Sequence, residues 1–179
     1  FTAVAERKSP DEVVALLREF HHRMEGAVFD HHGTLDKFLG DGLMATFGNP
    51  DQGANDASNA LRCGRAMLAK IDLWNREREN AGEEPIKVSV GIHHGMVVLG
   101  DIGSERRLEY AVLGDTVNVA CRLEELTRSL GVHMAMSDDL VIAVRHEPGT
   151  EAETLLSDFD NGGPHSVRGR KEPIVVWTL

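Results

Sequence analysis

The sequence predicts an α+β fold in which helices pack on a mainly antiparallel sheet. Apolar residues recur at helical spacing in some segments, above all over residues 53–80. Elsewhere, short apolar runs are separated by turn residues, which is typical of hairpins rather than of strict strand–helix–strand repeats. With 179 residues, of which 41% are hydrophobic, the chain is long enough for a sizeable core, and we interpret residues 1–179 as one domain.

The first helix is predicted to begin near Ser9. The serine can cap the helix, Pro10 suits the first helical position, and Glu12 completes a capping box. Apolar residues then follow at helical spacing, at Val13, Leu16, Leu17, Phe20 and Met24.

A hairpin is predicted over residues 34–48. Asp41-Gly42 separates the apolar runs 35–39 and 43–47, and Asp-Gly between two such runs favours a tight turn because glycine accepts a positive φ. Aspartate is common in turns for purely local reasons, so the turn alone does not distinguish a surface hairpin from a functional one.

The remaining elements are assigned from the same patterns. Helices are predicted over residues 53–80, 116–130 and 138–145, and strands over 87–92, 96–102, 108–113, 132–136 and 173–178 and near 153–158 and 165–168. Asp115 is predicted to cap the 116–130 helix and Gly131 to end it. The segments 149–154 and 160–165 are predicted to be surface loops.

Charge and composition exclude some functions. The net charge is −10 and the pI about 5.3, which argues against a nucleic-acid binder because such proteins usually present a basic face. An acidic protein can still bind a nucleotide when metal ions supply positive charge. Cys63 and Cys121 form no CxxC motif, and no apolar run approaches the roughly 20 residues of a membrane span. We expect a cytoplasmic domain, or the cytoplasmic face of a longer membrane-anchored protein.

A second polar pattern opens the helix predicted after Gly114. Asn118 and Arg122 are four positions apart, so they share one helix face. An amide donor beside a guanidinium suits recognition of sugar and phosphate, since arginine offers several donors in a fixed fork. Pairs at this spacing are also common on exposed polar faces, and the pattern alone leaves both interpretations open.

Four segments together resemble a known family. They are FTAVAER at 1–7, LDKFLGDGLMATFG at 35–48, the run from Val90 to Leu126, and VRGRKEPIVVWTL at 167–179, and they resemble the catalytic domain of class III nucleotidyl cyclases. The resemblance implies a ferredoxin-like α+β fold and a head-to-tail homodimer with two sites at its interface. It also implies conversion of a nucleoside triphosphate to a 3′,5′-cyclic monophosphate and pyrophosphate, with two Mg²⁺ (or Mn²⁺) per site.

The resemblance assigns a role to individual residues. Asp41 matches a metal-binding aspartate, and Lys37 matches the lysine that reads adenine in adenylate cyclases. Asn118 matches the residue that orients the ribose, and Arg122 the arginine that stabilises the α-phosphate. Arg168 stands, in a looser alignment, where the family often has a lysine that binds the triphosphate. The resemblance places Asp41 in one subunit of a site and the other residues in its partner.

Two positions depart from the family pattern. The family carries a second metal-binding aspartate four residues before the equivalent of Phe1, and the sequence begins after that position. We expect the aspartate and its strand to lie upstream, with Phe1 and Thr2 in a loop whose backbone contacts the phosphates. Ala111 stands where adenylate cyclases usually have Asp, Thr or Ser as a partner for the adenine amino group, and alanine cannot accept that hydrogen bond.

Three functional hypotheses remain open at this point. The first is an adenylate cyclase that acts on ATP, and the second is a guanylate or dual-specificity cyclase that also accepts GTP. The third is a catalytically degenerate module that binds nucleotide or dimerises to regulate attached domains. An upstream sensor or membrane domain is possible under each of them, and the sequence names no regulator.

Overall fold

The computed structural model describes residues 7–104, 107–149, 151–167, 170 and 172–179. These residues form the helices α1 (Pro10–Asp30), α2 (Asp56–Asn80), α3 (Asp115–Leu130), α4 (Asp138–His146) and α5 (Ala152–Leu156). The strands are β1 (Thr34–Leu39), β2 (Gly42–Thr46), β3 (Val90–Ile92), β4 (Val98–Ser104), β5 (Arg107–Leu113), β6 (Met134–Ser137), β7 (Asp160–His165) and β8 (Ile174–Thr178).

The chain divides into two compact units, an N-terminal unit (Phe1–Val88) and a C-terminal unit (Ser89–Leu179). The interpretation of residues 1–179 as one domain stays a prediction. The prediction of an α+β fold with antiparallel pairing and packed helices is confirmed. Within the part of the chain that the structure describes, no helix combines the length and apolar character needed to cross a membrane.

The N-terminal unit begins with the predicted capping box. The Ser9 side chain accepts a hydrogen bond from the Glu12 backbone N–H, and the Ser9 N–H donates to the Glu12 carboxylate at 2.8 Å. This carboxylate therefore has its pKa lowered, mainly by the hydrogen bonds from Ser9. The cap fixes where α1 starts, and α1 then packs on α2 and on the hairpin β1–β2.

A hydrophobic core lies between α1 and α2. It contains Leu16, Phe20, Met24, Ala27, Val28, Cys63, Met67, Ile71, Trp74 and Ile86, with Leu35, Leu43, Ala45 and Phe47 of the hairpin region packed against it. The guanidinium groups of Arg23 and Arg78 lie over the Trp74 ring, at 5.1 Å and 5.4 Å from its centroid. Such contacts add to the apolar burial of the indole.

The hairpin β1–β2 is antiparallel and contains a β-bulge. Leu35 pairs with Ala45, but Lys37 already pairs with Met44, so Asp36 is an extra residue in the first strand. The predicted hairpin is confirmed, whereas a regular alternation along 35–39 would have missed the bulge. Bulges bend a strand locally and re-aim its side chains.

The C-terminal unit contains a four-stranded sheet in the order β3-β6-β8-β7 and the separate hairpin β4–β5. β3 and β6 are parallel and the other neighbours are antiparallel. All four residues of β6 are buried, as expected for a strand inside the sheet. Helix α3 packs on β3 and β6.

The structure corrects several local predictions. The predicted strand near 165–168 is not formed at 166–167, since β7 ends at His165, and the predicted loop 149–154 gives way to a helix from Ala152. Residues predicted as a strand near 153–158 form the short helix α5, whose Leu156 is buried. The predicted loop 160–165 is strand β7 at the sheet edge, where Gly163 has a φ of +76° and the register shifts; glycine and proline are tolerated at edges and bulges. Asp115 is not the cap of α3, because Gly114 holds that position without a side-chain hydrogen bond.

Candidate active site

Each of the two units carries some of the predicted site residues. The N-terminal unit carries Lys37 and Asp41, and the C-terminal unit carries Ala111, Asn118 and Arg122. Three other predicted residues, Phe1, Thr2 and Arg168, lie outside the described residues.

Asp41 lies in the tight turn between β1 and β2 and is exposed to solvent. Gly40 before it has a φ of +64°, a conformation that favours glycine. His21 of α1 fixes this turn: its Nε2 donates to the Gly40 carbonyl at 3.0 Å, and its ring stacks on Phe38 at 3.9 Å between centroids. The carboxylate of Asp41 is thus presented outward from a turn that is anchored to a helix.

Lys37 lies in β1 with its side chain 28% exposed, beside the almost completely buried side chain of Asp36. The Lys37 Nζ is 3.7 Å from the Asp36 Oδ2. This oxygen is buried and has no hydrogen-bond partner among the described residues. Burying a carboxylate oxygen without a hydrogen-bond partner destabilises the folded state. The position of this oxygen beside a lysine is therefore considered further below.

Asn118 and Arg122 lie on one face of α3, and Val119 and Leu123 are buried on another. The helix can pack closely because Gly91 of β3 lies directly under it. A Cβ at this glycine would collide with the Ala120 carbonyl oxygen and with the Glu124 backbone. The backbone of α3 thus lies close to β3 at Gly91, while Val119 and Leu123 pack in a side-chain core with Ala135 and Val176. The Asn118–Arg122 face points away from this core.

Arg122 is engaged by a neighbour on the same helix. Its Nη1 donates to the Glu125 carboxylate at 2.7 Å, and its side chain is 35% exposed. A concavity of about 230 Å³ opens beside this pair, lined by Arg122, Glu125, Leu126, Ser129, Ser166 and Val167. An anionic ligand that binds the guanidinium there competes with the Glu125 carboxylate.

Ala111 lies in β5 opposite Gly100 of β4. Its side chain is a methyl group, and the neighbouring position across the strand pair carries no side chain. Neither residue of this pair has a side chain that can donate or accept a hydrogen bond.

A buried polar cluster lies close to the end of β3. The His93 side chain is 7% exposed, and its Nδ1 is 2.7 Å from the Ser137 Oγ, which also accepts from the Leu140 N–H. Burial lowers the pKa of His93, against the opposing effect of Asp139 at 3.8 Å. The ring is accordingly neutral in the folded protein at neutral pH, and it links the start of α4 to the loop after β3.

The two thiols differ in character. Cys63 is buried in the core of the N-terminal unit, and burial raises its pKa to about 12. Cys121 is exposed on α3. A thiol with so high a pKa is unreactive, so Cys63 acts only in packing.

The donor set around Asp41 fits a hard divalent cation. Mg²⁺ is usually bound by one or two carboxylates and completed by water and substrate phosphates. Asp41 is an exposed, outward-pointing carboxylate of this kind. Within the described ranges, no three His, Cys, Asp or Glu side chains are grouped so as to hold a metal by themselves.

Residues 1–179 match the adenylate and guanylate cyclase catalytic domain family. The chain belongs to this family. It is 36% identical over 141 residues to adenylate cyclase 1 of Rhizobium meliloti, covering 79% of this chain and 21% of that protein. It is 34% identical over 145 residues to an adenylate cyclase of Anabaena cylindrica, covering 79% of this chain and 28% of that protein. The chain thus spans less than a third of either relative.

Among solved structures, the crystal structure of the guanylyl cyclase Cya2 is similar over 99% of this chain and 85% of that chain. The TM-score is 0.82 and the sequence identity 31%. The prediction of a class III nucleotidyl cyclase fold is therefore confirmed. These relatives include proteins named for either purine nucleotide, so they do not decide which base this chain takes.

Sequence reasoning missed three residues, each of which the structure places next to a predicted site residue or the turn that carries one. Asp36 was hidden because strand alternation assigns neighbouring residues to opposite faces, and only the bulge changes this. His21 contacts a turn nineteen positions away, which no local pattern reveals. Glu125 follows Arg122 by three positions, and this helical spacing could have predicted the ion pair.

Proposed function

We propose that this chain is the catalytic domain of an adenylate cyclase that converts ATP to 3′,5′-cyclic AMP and pyrophosphate. The observation that carries the proposal is the pair Asn118 and Arg122, exposed and partly exposed on one face of a helix packed on the sheet. The chain is a family member whose hairpin also carries Lys37 and Asp41. Such a set matches what cyclisation needs: contacts to base, ribose and phosphate, and one hard metal ligand.

The reaction joins the ribose 3′-oxygen to the α-phosphorus and breaks the bond from that phosphorus to the pyrophosphate oxygen. The 3′-hydroxyl gives up its proton to solvent, and pyrophosphate leaves with the electron pair of the broken bond. Asn118 would orient the ribose so that the 3′-oxygen lies in line with the leaving group. Arg122 would stabilise the charge on the α-phosphate as the new bond forms, after exchanging its contact with Glu125 for the phosphate.

Asp41 would hold divalent metal ions, with two Mg²⁺ or Mn²⁺ per site as the family resemblance implies. Bound there, such ions lower the pKa of a hydroxyl and neutralise triphosphate charge. Arg168 and the backbone of Phe1 and Thr2 are proposed as further contacts to the triphosphate. These roles rest on the match of each residue to the family pattern.

Lys37 is the proposed reader of the base. Its ammonium can donate to N1 of adenine, whereas N1 of guanine carries a hydrogen and is itself a donor. A guanylate or dual-specificity cyclase is the second candidate, and Ala111 favours it. Its methyl group cannot accept from the adenine amino group, so one contact that would separate ATP from GTP is missing. A missing hydrogen bond of this kind is worth about 0.5–1.5 kcal/mol.

The proposed enzyme acts as a head-to-tail homodimer, and the resemblance to the family is the support for this. Its partners are ATP, a second copy of the chain, and a sensor or membrane region elsewhere in a longer protein, at the cytoplasmic side. The third hypothesis, a degenerate module that regulates attached domains, predicts nucleotide binding or dimerisation without turnover.

The proposal is tested by measuring cyclic AMP and cyclic GMP formation from ATP and GTP in parallel at saturating Mn²⁺. We expect both activities to depend on the metal and the cyclic AMP rate to exceed the cyclic GMP rate. The measurement uses the chain within its full-length protein, with the oligomeric state recorded in the same samples.

Each other outcome selects another hypothesis. Similar rates with the two nucleotides would show a dual-specificity cyclase, and a higher rate with GTP would show a guanylate cyclase. Absence of both products from a folded, nucleotide-binding dimer would refute catalysis and leave the regulatory module.

A further inference from the structure

We infer that Asp36 is a positioning residue for Lys37, and that through this lysine it sets the preference for adenine over guanine. The inference deepens the proposed function and rests on it, because it takes Lys37 as the reader of the base. It assigns a role to a carboxylate that neither the sequence pattern nor the family resemblance singled out.

The β-bulge is the first observation. In a regular strand, the side chains of adjacent residues point to opposite faces, so Asp36 and Lys37 would be separated by the backbone. Here the register shifts between Leu35 and Lys37, and Asp36 is the additional residue. The bulge brings the Asp36 Oδ2 to 3.7 Å from the Lys37 Nζ.

Burial is the second observation. The Asp36 side chain is only 6% exposed, and its Oδ2 has no hydrogen-bond partner among the described residues. A native protein keeps such an oxygen only when a nearby opposite charge or a functional requirement offsets its cost. The Lys37 ammonium is the opposite charge that the structure places next to it.

The geometry also shows how the carboxylate can act without preventing recognition. At 3.7 Å the two groups attract one another, but the distance is longer than an N–H···O hydrogen bond. The ammonium has three donors, so it can keep this attraction while it donates to a base. Asp36 would hold the ammonium in one direction, and a lysine fixed in this way discriminates better than a freely rotating one.

The test compares Asp36→Asn with the wild type. Asparagine has nearly the same shape as aspartate, but it is uncharged and replaces one carboxylate oxygen by an NH2 donor. The matched control is Asp30→Asn, since Asp30 also pairs with a lysine of the same unit, Lys70, at 3.4 Å but outside the hairpin. The substrates are ATP, GTP and 1-deaza-ATP, in which a C–H replaces N1 of adenine and removes the acceptor that Lys37 is proposed to contact.

We expect Asp36→Asn to lower kcat/KM for ATP about tenfold, chiefly through a higher KM. This is the size of effect expected when the charge-assisted hydrogen bond from Lys37 to the base is weakened. The kcat/KM for 1-deaza-ATP should stay unchanged. The ratio of kcat/KM for ATP to that for 1-deaza-ATP or GTP should therefore fall. Asp30→Asn should behave as the wild type. An equal loss with ATP and 1-deaza-ATP would mean a merely structural role and would overturn the inference, as would no loss at all.

A second variant covers the case in which Asp36→Asn does not fold. Lys37→Met keeps the length of the side chain and leaves the Asp36 carboxylate buried without its neighbouring cation. We expect its melting temperature to fall by about 2–4 °C or more. An unchanged melting temperature would show that the two groups do not interact and would overturn the inference.

Binding measurements separate this inference from the proposed function. Dissociation constants of ATP and 1-deaza-ATP are measured for the same proteins without turnover, in Ca²⁺. If the wild type forms no cyclic nucleotide but Asp36→Asn selectively weakens ATP binding, the proposed catalysis fails and the inference stands. If the wild type cyclises ATP and Asp36→Asn shows no base-dependent change, the inference alone fails. Failure of the wild type to bind either nucleotide would overturn both.

Discussion

The hairpin β1–β2 and the helix α3 carry the proposed site residues in different ways. In the hairpin, Lys37 and Asp41 depend on tertiary contacts, namely a buried neighbour at Asp36 and an anchor at His21. The position of Lys37 is therefore tied to its bulged neighbour in the same strand, and that of Asp41 to a residue of another element, His21.

In α3, by contrast, the helical repeat alone places Asn118 and Arg122 on one face. On that face, Arg122 forms an ion pair with Glu125 of the same helix. The comparison teaches that helix residues of this site are set by spacing, whereas hairpin residues are set by packing. In α3, we therefore expect substitution of the proposed site residues themselves to change activity. In the hairpin, we expect substitution of the residues that contact Lys37 or the turn of Asp41 to change activity as well.

The largest effect is expected for Arg122→Ala. Loss of a group that stabilises charge in the transition state typically lowers kcat by about 10²–10³-fold, while folding should be retained because the side chain is partly exposed. The measurement is turnover with ATP beside the melting temperature. Arg128→Ala is the matched control, since Arg128 lies on the same helix and pairs with Glu124 at 2.8 Å. Wild-type turnover in Arg122→Ala would refute the role of this residue.

The next effect is expected for Gly91→Ala, which tests whether backbone packing fixes α3. The added methyl group would collide with backbone atoms of Ala120 and Glu124, and overpacking of this kind typically costs about 1–3 kcal/mol. Chemical denaturation should show the loss, together with lower turnover. The control is Gly100→Ala, where a Cβ meets nothing within 4 Å. Equal stability of the two variants would contradict the account of α3.

A smaller effect is expected for His21→Phe, which tests the anchor of the hairpin. Phenylalanine can still stack on Phe38 but cannot donate to the Gly40 carbonyl, a loss of about 0.5–1.5 kcal/mol. The Mg²⁺ concentration at half-maximal turnover should rise several-fold, since the turn that presents Asp41 is loosened. His22→Phe is the control, because the His22 side chain is 80% exposed. No change in His21→Phe would mean that the turn holds its shape alone.

The smallest effect concerns the pH dependence of stability. The pKa of His93 is lowered by burial from the ordinary value of 6.5, so the unfolded chain binds more protons than the folded one between that lowered value and 6.5. Stability should therefore be full above pH 6.5 and fall as the pH decreases through this window. His93→Gln should flatten the profile measured by chemical denaturation, whereas the exposed His94→Gln should keep most of it. If the dependence of stability on pH were unchanged in His93→Gln, His93 would not be its cause.

The sequence was sufficient for the features that depend on local chemistry. The capping box at Ser9, the hairpin turn at Asp41-Gly42 and the end of α3 at Gly131, which has a φ of +71°, are all determined by a few adjacent residues. Strand β7 was missed because its Gly163 and Pro164 weaken a strand in isolation, and only pairing with β8 stabilises it.

The candidate site shows the same limit. The shared face of Asn118 and Arg122 follows from helical periodicity, and the structure agrees with it. The neighbourhood of Lys37 does not follow from any period, because a bulge breaks the alternation on which strand predictions rest. The roles of these residues remain predictions that the experiments above address.

The backbone contact at Gly91 has a mechanical consequence. Packed helices usually slide past one another on a layer of side chains that adjust their rotamers, which permits small shear motions. At Gly91 this layer is missing, and the peptide groups of α3 rest on β3 itself. Helix α3 and strand β3 should then move together as one rigid unit. A displacement of either element would therefore displace Arg122 by the same amount.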